Sequence, residues 1–323
     1  MVKVLAMTLG DRYGVGPELV ARLPEMMPLP EGVRVVMVGD RRVYEQGRKA
    51  IGAGGEVAVV RSFGEAAAPW SLLDRPFDSA VLPLGRVSPD AGREVLQTLD
   101  VLIAAAKAGE IGGIVYAPLN KQAMREAGHA AGDELDYFRQ SLPAPATGEI
   151  NILGEVWTSR VTSHVPLRAV GDLITPNNVM RGVRLLADAL AQSGRRPKLA
   201  MAALNPHAGE GGAFGREEID VLAPVIAEAK AAGIDIAGPF PSDTVFPRAV
   251  GGAFNGVVTM FHDQGQIALK MVGLGQGITL LGGFPVPIAT PGHGTAYDIA
   301  GTGKARPDGL VAATRLVMGM MGV

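Results

Sequence analysis

Short apolar runs alternate with longer helical stretches along almost the whole of this 323-residue chain. Runs at 2–9, 33–38, 80–84 and 113–116 precede helical stretches that begin at Pro17 and then at 41–49, 91–107 and 121–126. The second half keeps the rhythm: runs at 150–153 and 156–163, a helix at 175–192, a run at 198–204, a helix at 216–232, a run at 256–261 and a closing helix at 308–321. Such alternation, with no internal repeat, specifies mostly parallel sheets covered by helices. The length fits about two domains, each able to bury its own core. Residues 65–75, with Pro69 inside and Pro76 just after, read as a surface loop. Residues 141–148, with two prolines, read as a hinge or domain crossing.

Composition narrows the function. Net charge is −2 with no basic block, which argues against nucleic acid or an anionic membrane as partner. There is no cysteine, so disulfides, thiolate metal sites and a cysteine nucleophile are excluded. No run approaches the roughly 18 apolar residues of a bilayer span, and the run at 4–9 is too short for a signal peptide. A soluble, cytoplasmic protein is expected.

Three of the five histidines share one setting. Ser163-His164-Val165-Pro166, Asn205-Pro206-His207-Ala208-Gly209-Glu210 and Phe261-His262-Asp263-Gln264-Gly265 each follow a strand-like run. A histidine in the turn after a parallel strand stands at the carboxyl edge of the sheet, where open α/β folds keep their sites. Taken singly, each reads more readily as a satisfied turn or core residue. Together, His164, His207 and His262 are candidate ligands of one divalent cation with positions left open for substrate. A second feature, Gly10-Asp11-Arg12-Tyr13-Gly14-Val15-Gly16-Pro17-Glu18, joins the first run to the first helix. It suits a tight turn with Pro17 in the first helical turn, and a helix amino terminus that attracts anions. It is not a dinucleotide or P-loop fingerprint, and neither occurs elsewhere.

Pro291-Gly292-His293-Gly294-Thr295-Ala296-Tyr297-Asp298-Ile299-Ala300-Gly301-Thr302-Gly303 is more specific. It resembles the loop with which isocitrate and isopropylmalate dehydrogenases wrap the adenosine end of NAD. The resemblance makes His293, Gly294, Thr295, Ala296, Asp298 and Gly301 candidate cofactor residues, with NAD or NADP as cofactor. The chain as a whole is more similar still to the 4-hydroxythreonine-4-phosphate dehydrogenase family, a branch of that superfamily used in pyridoxal phosphate (pyridoxine) synthesis. This likeness covers nearly all of the sequence. It rests on 10–18, Ala117-Pro118-Leu119-Asn120-Lys121, 163–167, 204–215, Pro241-Ser242-Asp243-Thr244, 261–270 and 293–303.

The resemblance implies two α/β/α domains of isocitrate dehydrogenase-like type with an active-site cleft between them. One would comprise 1–130 plus 270–323 on the cofactor side, the other 131–269. It implies a homodimer, one divalent metal ion (Zn, Mg, Mn or Co) on His164, His207 and His262, and a small hydroxy acid as substrate. The expected reaction oxidises a 3-hydroxy acid by hydride transfer to NAD(P), giving a 3-keto acid that decarboxylates. Asp243 and Asp263 are candidates for proton transfer or for orienting a metal-bound water. Asp263 equally suits fixing a histidine tautomer. Lys270 stands where the family contacts substrate, although a lysine there also fits simple snorkelling to solvent.

The chain departs from the family where the phosphorylated substrate is recognised. The family's Gly-His-Thr-Glu aligns with Gly132-Asp133-Glu134-Leu135, so two carboxylates, Asp133 and Glu134, replace His-Thr. Its substrate-binding Asn falls on Thr279 and its Arg on Ile288, and isoleucine makes no bidentate phosphate contact. The same chemistry on an unphosphorylated substrate, such as a cyclic diol carboxylate, is therefore the alternative. A metal-dependent hydrolase, with the three histidines activating water, is a more distant one, and a catalytically silent binding protein would need damage that neither motif set shows.

Overall fold

The computed structural model describes residues 2–52, 56–78, 83–129, 133–142, 144–273 and 277–323. Most of the run expected at 80–84, and Gly132, lie outside the described residues. By internal contacts the chain divides into two compact units, Met1–Ala144 with Phe284–Val323, and Pro145–Gly283.

The first unit carries β1 (Lys3–Thr8), α1 (Gly16–Met26), β2 (Val33–Gly39), α2 (Arg41–Ile51), β3 (Ala58–Val60), β4 (Trp70–Asp74), α3 (Pro89–Ala108), β5 (Gly113–Tyr116), α4 (Lys121–Glu126) and α5 (Glu134–Ser141). The second carries β6 (Gly148–Leu153), β7 (Val156–Arg160), α6 (Val170–Leu173), α7 (Pro176–Gln192), β8 (Leu199–Ala202), α8 (Ala223–Ala231), β9 (Ile236–Phe240), α9 (Ser242–Val250), β10 (Gly256–Thr259), α10 (His262–Val272) and β11 (Ile278–Gly282). The chain then returns to the first unit with β12 (Ile288–Pro291) and α11 (Asp308–Met320).

In the first unit the strands run β3-β4-β2-β1-β5-β12 and all pair in parallel. Helices cover such a sheet on both faces, so its strands are apolar throughout rather than alternating. Leu5, Ala6, Met7, Val35, Val36, Met37, Ile114 and Val115 are all fully buried. Helix ends follow the sequence: Asp40 caps α2 through the Arg42 amide at 2.8 Å, Pro89 opens α3, and Gly52 and Gly109 close their helices in left-handed conformation. The chain leaves β1 toward β2, then returns to its other side at β5. That reversal makes the carboxyl edge of β1 and β5 a topological switch point, where open α/β sheets bind ligands.

The segment 65–75, expected as a surface loop, contains a strand. Within 65–75, residues Trp70–Asp74 form β4, paired between β2 and β3. Prolines at 69 and 76 bracket the four apolar or small residues and disguise a short strand buried on both faces. Trp70 Nε1 donates to the Met27 carbonyl at 3.3 Å, fixing the strand to the end of α1.

The second unit is mixed: β11-β6-β7-β10-β8-β9, with β6 antiparallel to both β11 and β7 and the remaining pairs parallel. β6 and β7 form a hairpin turning at Gly154, whose φ of 54° needs no Cβ penalty. β6 alternates buried and half-buried positions, whereas β8 and β10 are buried throughout. β7, β10 and β8 are parallel neighbours, so the turns after them share one edge of the sheet.

Candidate active site

Each of the three histidines singled out from sequence follows one of those neighbouring strands. After β7, Val161 and Thr162 donate their amides to Thr259 and Met260 carbonyls at 2.8 and 3.1 Å, and the Thr162 hydroxyl donates to Met260 at 2.9 Å. These bonds lace the end of β7 to the end of β10. His164, in left-handed conformation with φ 53°, and His262, the first residue of α10, are thereby brought together with ring centroids 5.8 Å apart. Two imidazoles ligating one ion at about 2.1 Å place their centroids about 5 Å apart, so the pair fits a shared cation. His262 Nδ1 lies 2.6 Å from the Asp263 carboxylate. A carboxylate only accepts, so this contact makes Nδ1 the donor, and in the neutral ring that arrangement leaves the Nε2 lone pair for a metal.

His207 sits in a tighter turn. From His207 to Gly211 five successive residues have φ between 44° and 81°. For a non-glycine residue that conformation costs about 1–2 kcal/mol, so something must hold it. The holder is Glu218, buried, whose Oε1 accepts the Leu204 and Asn205 amides at 2.9 and 2.8 Å. Its Oε2 accepts the Asn205 side-chain amide at 3.0 Å and leaves no room for a Cβ at Gly209. His207 itself is exposed, edge-on to Phe214 and 3.5 Å from Glu210. Among the described residues of one chain, no three His, Asp or Glu side chains lie close enough together to form a ready metal site. His164 and His262 are thus brought together and His207 is not joined to them within one chain.

Asp243, in the first turn of α9, is exposed. Lys270, exposed in the last turn of α10, lies eight residues from His262, about 12 Å along the helix, and also suits the negative helix end. Glu218 and Gln264 were not apparent from sequence. Gln264 accepts the Met260 amide at 2.7 Å and donates to the Ala203 carbonyl and the Ser242 hydroxyl at 2.8 and 2.7 Å. It thereby fastens the ends of β8 and β10 to the start of α9, next to Asp243.

In the first unit, the Gly-rich turn and the loop 293–303 meet at the switch point. Val15 donates its amide to the Thr295 carbonyl at 2.9 Å, and a Cβ on Gly14 would stand 2.9 Å from Thr295, so this approach requires glycine. The Tyr297 hydroxyl donates to Asp11 at 2.7 Å. Burial raises the Asp11 carboxyl above its ordinary range against the opposing bond from Tyr297. Buried Glu18, on α1, accepts the amides of Gly301, Gly303 and Ala305 at 2.8, 3.4 and 3.3 Å. One carboxylate therefore sets the whole glycine-rich end of the loop. His293, Gly294 and Asp298 stay accessible at its rim, and Ala296 takes a φ of 42°.

The family resemblance ties four positions to substrate recognition. Asp133 caps α5, accepting the Asp136 amide at 3.1 Å, and Glu134 faces Lys121 at 3.5 Å. Thr279 on β11 accepts a hydrogen bond from Asn151 at 3.0 Å. Ile288 on β12 is fully buried. Both carboxylates are occupied by the protein itself, which removes much of their expected repulsion toward an anion.

Beside the Gly-rich turn, Arg12 lies 3.1 Å from Glu94 and 3.9 Å from Asp40. Glu94 borders a cavity of about 150 Å³ with Asp74, Phe77 and Thr98. Burial pushes its carboxyl up to about 7, against the pull of Arg12. The folded pKa exceeds the ordinary 4.5, so the folded state holds the proton more tightly. Stability therefore falls as pH rises through that window, by about 3 kcal/mol if the shift is fully expressed. Glu94→Gln is expected to remove this part of the slope. Urea unfolding of both proteins at about pH 5 and about pH 8 checks it, and parallel profiles would refute it.

Histidines at neighbouring strand ends and a glycine-rich loop at a switch point put the chain among α/β proteins that carry their sites at the carboxyl ends of parallel strands. The pyridoxal phosphate biosynthetic protein PdxA family model matches residues 31–317, and the chain belongs to this family. It is 42% identical over 325 residues to a Pseudomonas aeruginosa protein provisionally named 4-hydroxythreonine-4-phosphate dehydrogenase 2, covering 96% of this chain and 94% of that one. It is 38% identical to a D-threonate 4-phosphate dehydrogenase of Bordetella bronchiseptica, covering 97% and 91%. Among solved structures, 4-hydroxythreonine-4-phosphate dehydrogenase from Klebsiella pneumoniae superposes with TM-score 0.84 at 31% identity, covering 99% and 98%. A terephthalate 1,2-cis-dihydrodiol dehydrogenase from Burkholderia xenovorans reaches 0.69 at 27%, covering 98% of each. Isocitrate dehydrogenase from Methylococcus capsulatus shares the fold alone, with TM-score 0.53 at 16% identity over 99% of this chain and 86% of that one. The chain is an oxidoreductase of the dehydrogenase type acting on a hydroxyl group, and no helix among its described residues is long and apolar enough to cross a membrane.

Proposed function

We propose that this chain is an NAD(P)- and divalent-metal-dependent dehydrogenase that oxidises a 3-hydroxy acid to a 3-keto acid, which then loses carbon dioxide. The reading is carried by the His164–His262 pair, 5.8 Å apart at adjacent strand ends, with Asp263 setting the tautomer of His262. His164, His262 and His207 would hold the ion. When bound there, a divalent cation lowers the pKa of the substrate hydroxyl and polarises the resulting ketone for decarboxylation. The neutral imidazoles leave the charge of such a site undiminished. Lys270 offers a cation to the substrate carboxylate, and Asp243 or Asp263 accepts and returns the proton. Glu18 holds the 301–305 backbone rigid so that His293, Gly294, Thr295, Ala296, Asp298 and Gly301 can cradle the adenosine half of the nucleotide.

His207 reaches such a site most simply from a second copy of the chain. Exposed apolar side chains flank all three histidines: Val165 and Leu167 after His164, Phe214 beside His207, and Ile267 and Met271 one helical turn apart on α10. That pattern supports a homodimer. Ile288 supports the variant in which the substrate lacks phosphate, as does the name of the Burkholderia xenovorans relative. Calorimetric titration of the metal-loaded protein with NAD and with NADP tests the assignment. Binding below about 1 mM is expected for one of them, and no binding of either would favour the hydrolase reading.

A further inference from the structure

A polar network centred on Asn151, a residue the proposed chemistry does not use, links the segments that carry the histidine pair. Asn151, at the middle of β6, stands directly opposite Thr279 of β11 on one side and Thr158 of β7 on the other. Its Nδ2 donates to Thr279 Oγ1 at 3.0 Å. Its Oδ1 accepts from two sources, Arg160 Nη1 at 2.6 Å and Gln266 Nε2 at 2.5 Å. Arg160 also forms an ion pair with Glu149, two residues from Asn151 on the same face of β6, and donates its Nε to Ser163 Oγ at 2.9 Å.

Both arms end at a histidine. Ser163 immediately precedes His164, whose left-handed backbone needs holding. Gln266 is four residues after His262 and therefore on the same face of α10. One carboxamide oxygen thus connects the His164 turn to the helix that begins at His262. Partly burying an arginine and two amides at such a place gains little stability over an apolar cluster of equal volume. What it supplies is a fixed spacing.

We propose that Asn151 is a positioning residue that sets the separation of His164 and His262, acting through Arg160–Ser163 on one side and Gln266 on the other. This rests on the reading of that pair as metal ligands. Partners that orient metal ligands typically contribute about ten- to a hundredfold in affinity.

Cobalt(II) binding to the full-length protein, followed by its visible absorption bands, tests the proposal without relying on turnover. Asn151→Leu should remain folded by thermal unfolding yet bind Co²⁺ about ten- to a hundredfold more weakly, with altered bands. Asn151→Asp keeps the acceptor for Arg160 and Gln266 and should recover most of the loss. Gln266→Met cuts one arm on a half-exposed helix face, should lose part of the affinity, and decides the matter should Asn151→Leu not fold. If His262→Ala abolishes binding while Asn151→Leu and Gln266→Met bind like the parent, the positioning role is refuted and the metal reading stands. If His262→Ala binds Co²⁺ as the parent does, the metal reading fails and takes this proposal with it.

Discussion

His262→Ala is expected to abolish metal-dependent oxidation, lowering kcat/KM by about a thousandfold or more, with the fold intact. The expectation follows from position. His262 opens α10, is partly exposed, and makes its short contact with the adjacent Asp263, so little packing is lost on truncation. What disappears is one ring of the only close histidine pair among the described residues. His164→Ala should behave alike, since the paired ring is equally indispensable. His129 provides the contrast: it is buried in the first unit, edge-on to Tyr137 at 5.0 Å, with Nε2 3.3 Å from the Asp133 carbonyl. His129→Ala should cost stability, about 1–3 kcal/mol, and leave metal-dependent rates nearly unchanged. Steady-state kinetics at saturating metal, paired with urea unfolding, separate the two classes. Comparable activity in His262→Ala and the parent would remove the metal from the mechanism.

The second large effect concerns substrate. Turnover of 4-phosphohydroxythreonine should be weak, and a 3-hydroxy acid whose far end is neutral or cationic should be preferred. Ile288 is the chief reason, since its side chain is fully buried in β12 and offers nothing to a dianion. Thr279 is hydrogen-bonded to Asn151, so it too is partly committed. Asp133 and Glu134 contribute less than the sequence alone suggests, because one caps α5 and the other faces Lys121. Losing an arginine–phosphate contact costs about 1.5–3 kcal/mol, or one to two orders of magnitude in affinity. The names of the Pseudomonas aeruginosa and Bordetella bronchiseptica relatives point to phosphorylated substrates, so the prediction separates this chain from them. A micromolar Michaelis constant for the phosphorylated compound would show that another part of the chain, such as the turn at 10–16, supplies the missing contacts.

Much of the fold was legible because parallel strands are apolar runs and helices carry their own caps. β5 at Gly113–Tyr116 and α4 at Lys121–Glu126 fall where the sequence places them. β4 escaped because prolines on both sides of a short buried run look like a loop. β11 and β12 escaped among glycines and prolines near the cofactor-like motif. At the site, motif residues next to one another in sequence, such as His262 and Asp263, were visible, and their supports were not. Glu218 serves a turn that begins fourteen residues earlier, and Asn151 meets Gln266 across 115 positions. Neither has a local pattern that marks it, because hydrogen bonds at such separations exist only once the sheet has assembled.

The most direct test is a turnover assay of the metal-loaded protein on a panel of 3-hydroxy acids, with and without phosphate, scored for both reduced nicotinamide and released carbon dioxide. The account predicts that at least one substrate yields the two products in equal amounts, that chelation of the metal stops both, and that metal addition restores them. Reduced nicotinamide formed at full rate in the presence of chelator, or hydrolysis with no nicotinamide reduced, would contradict it.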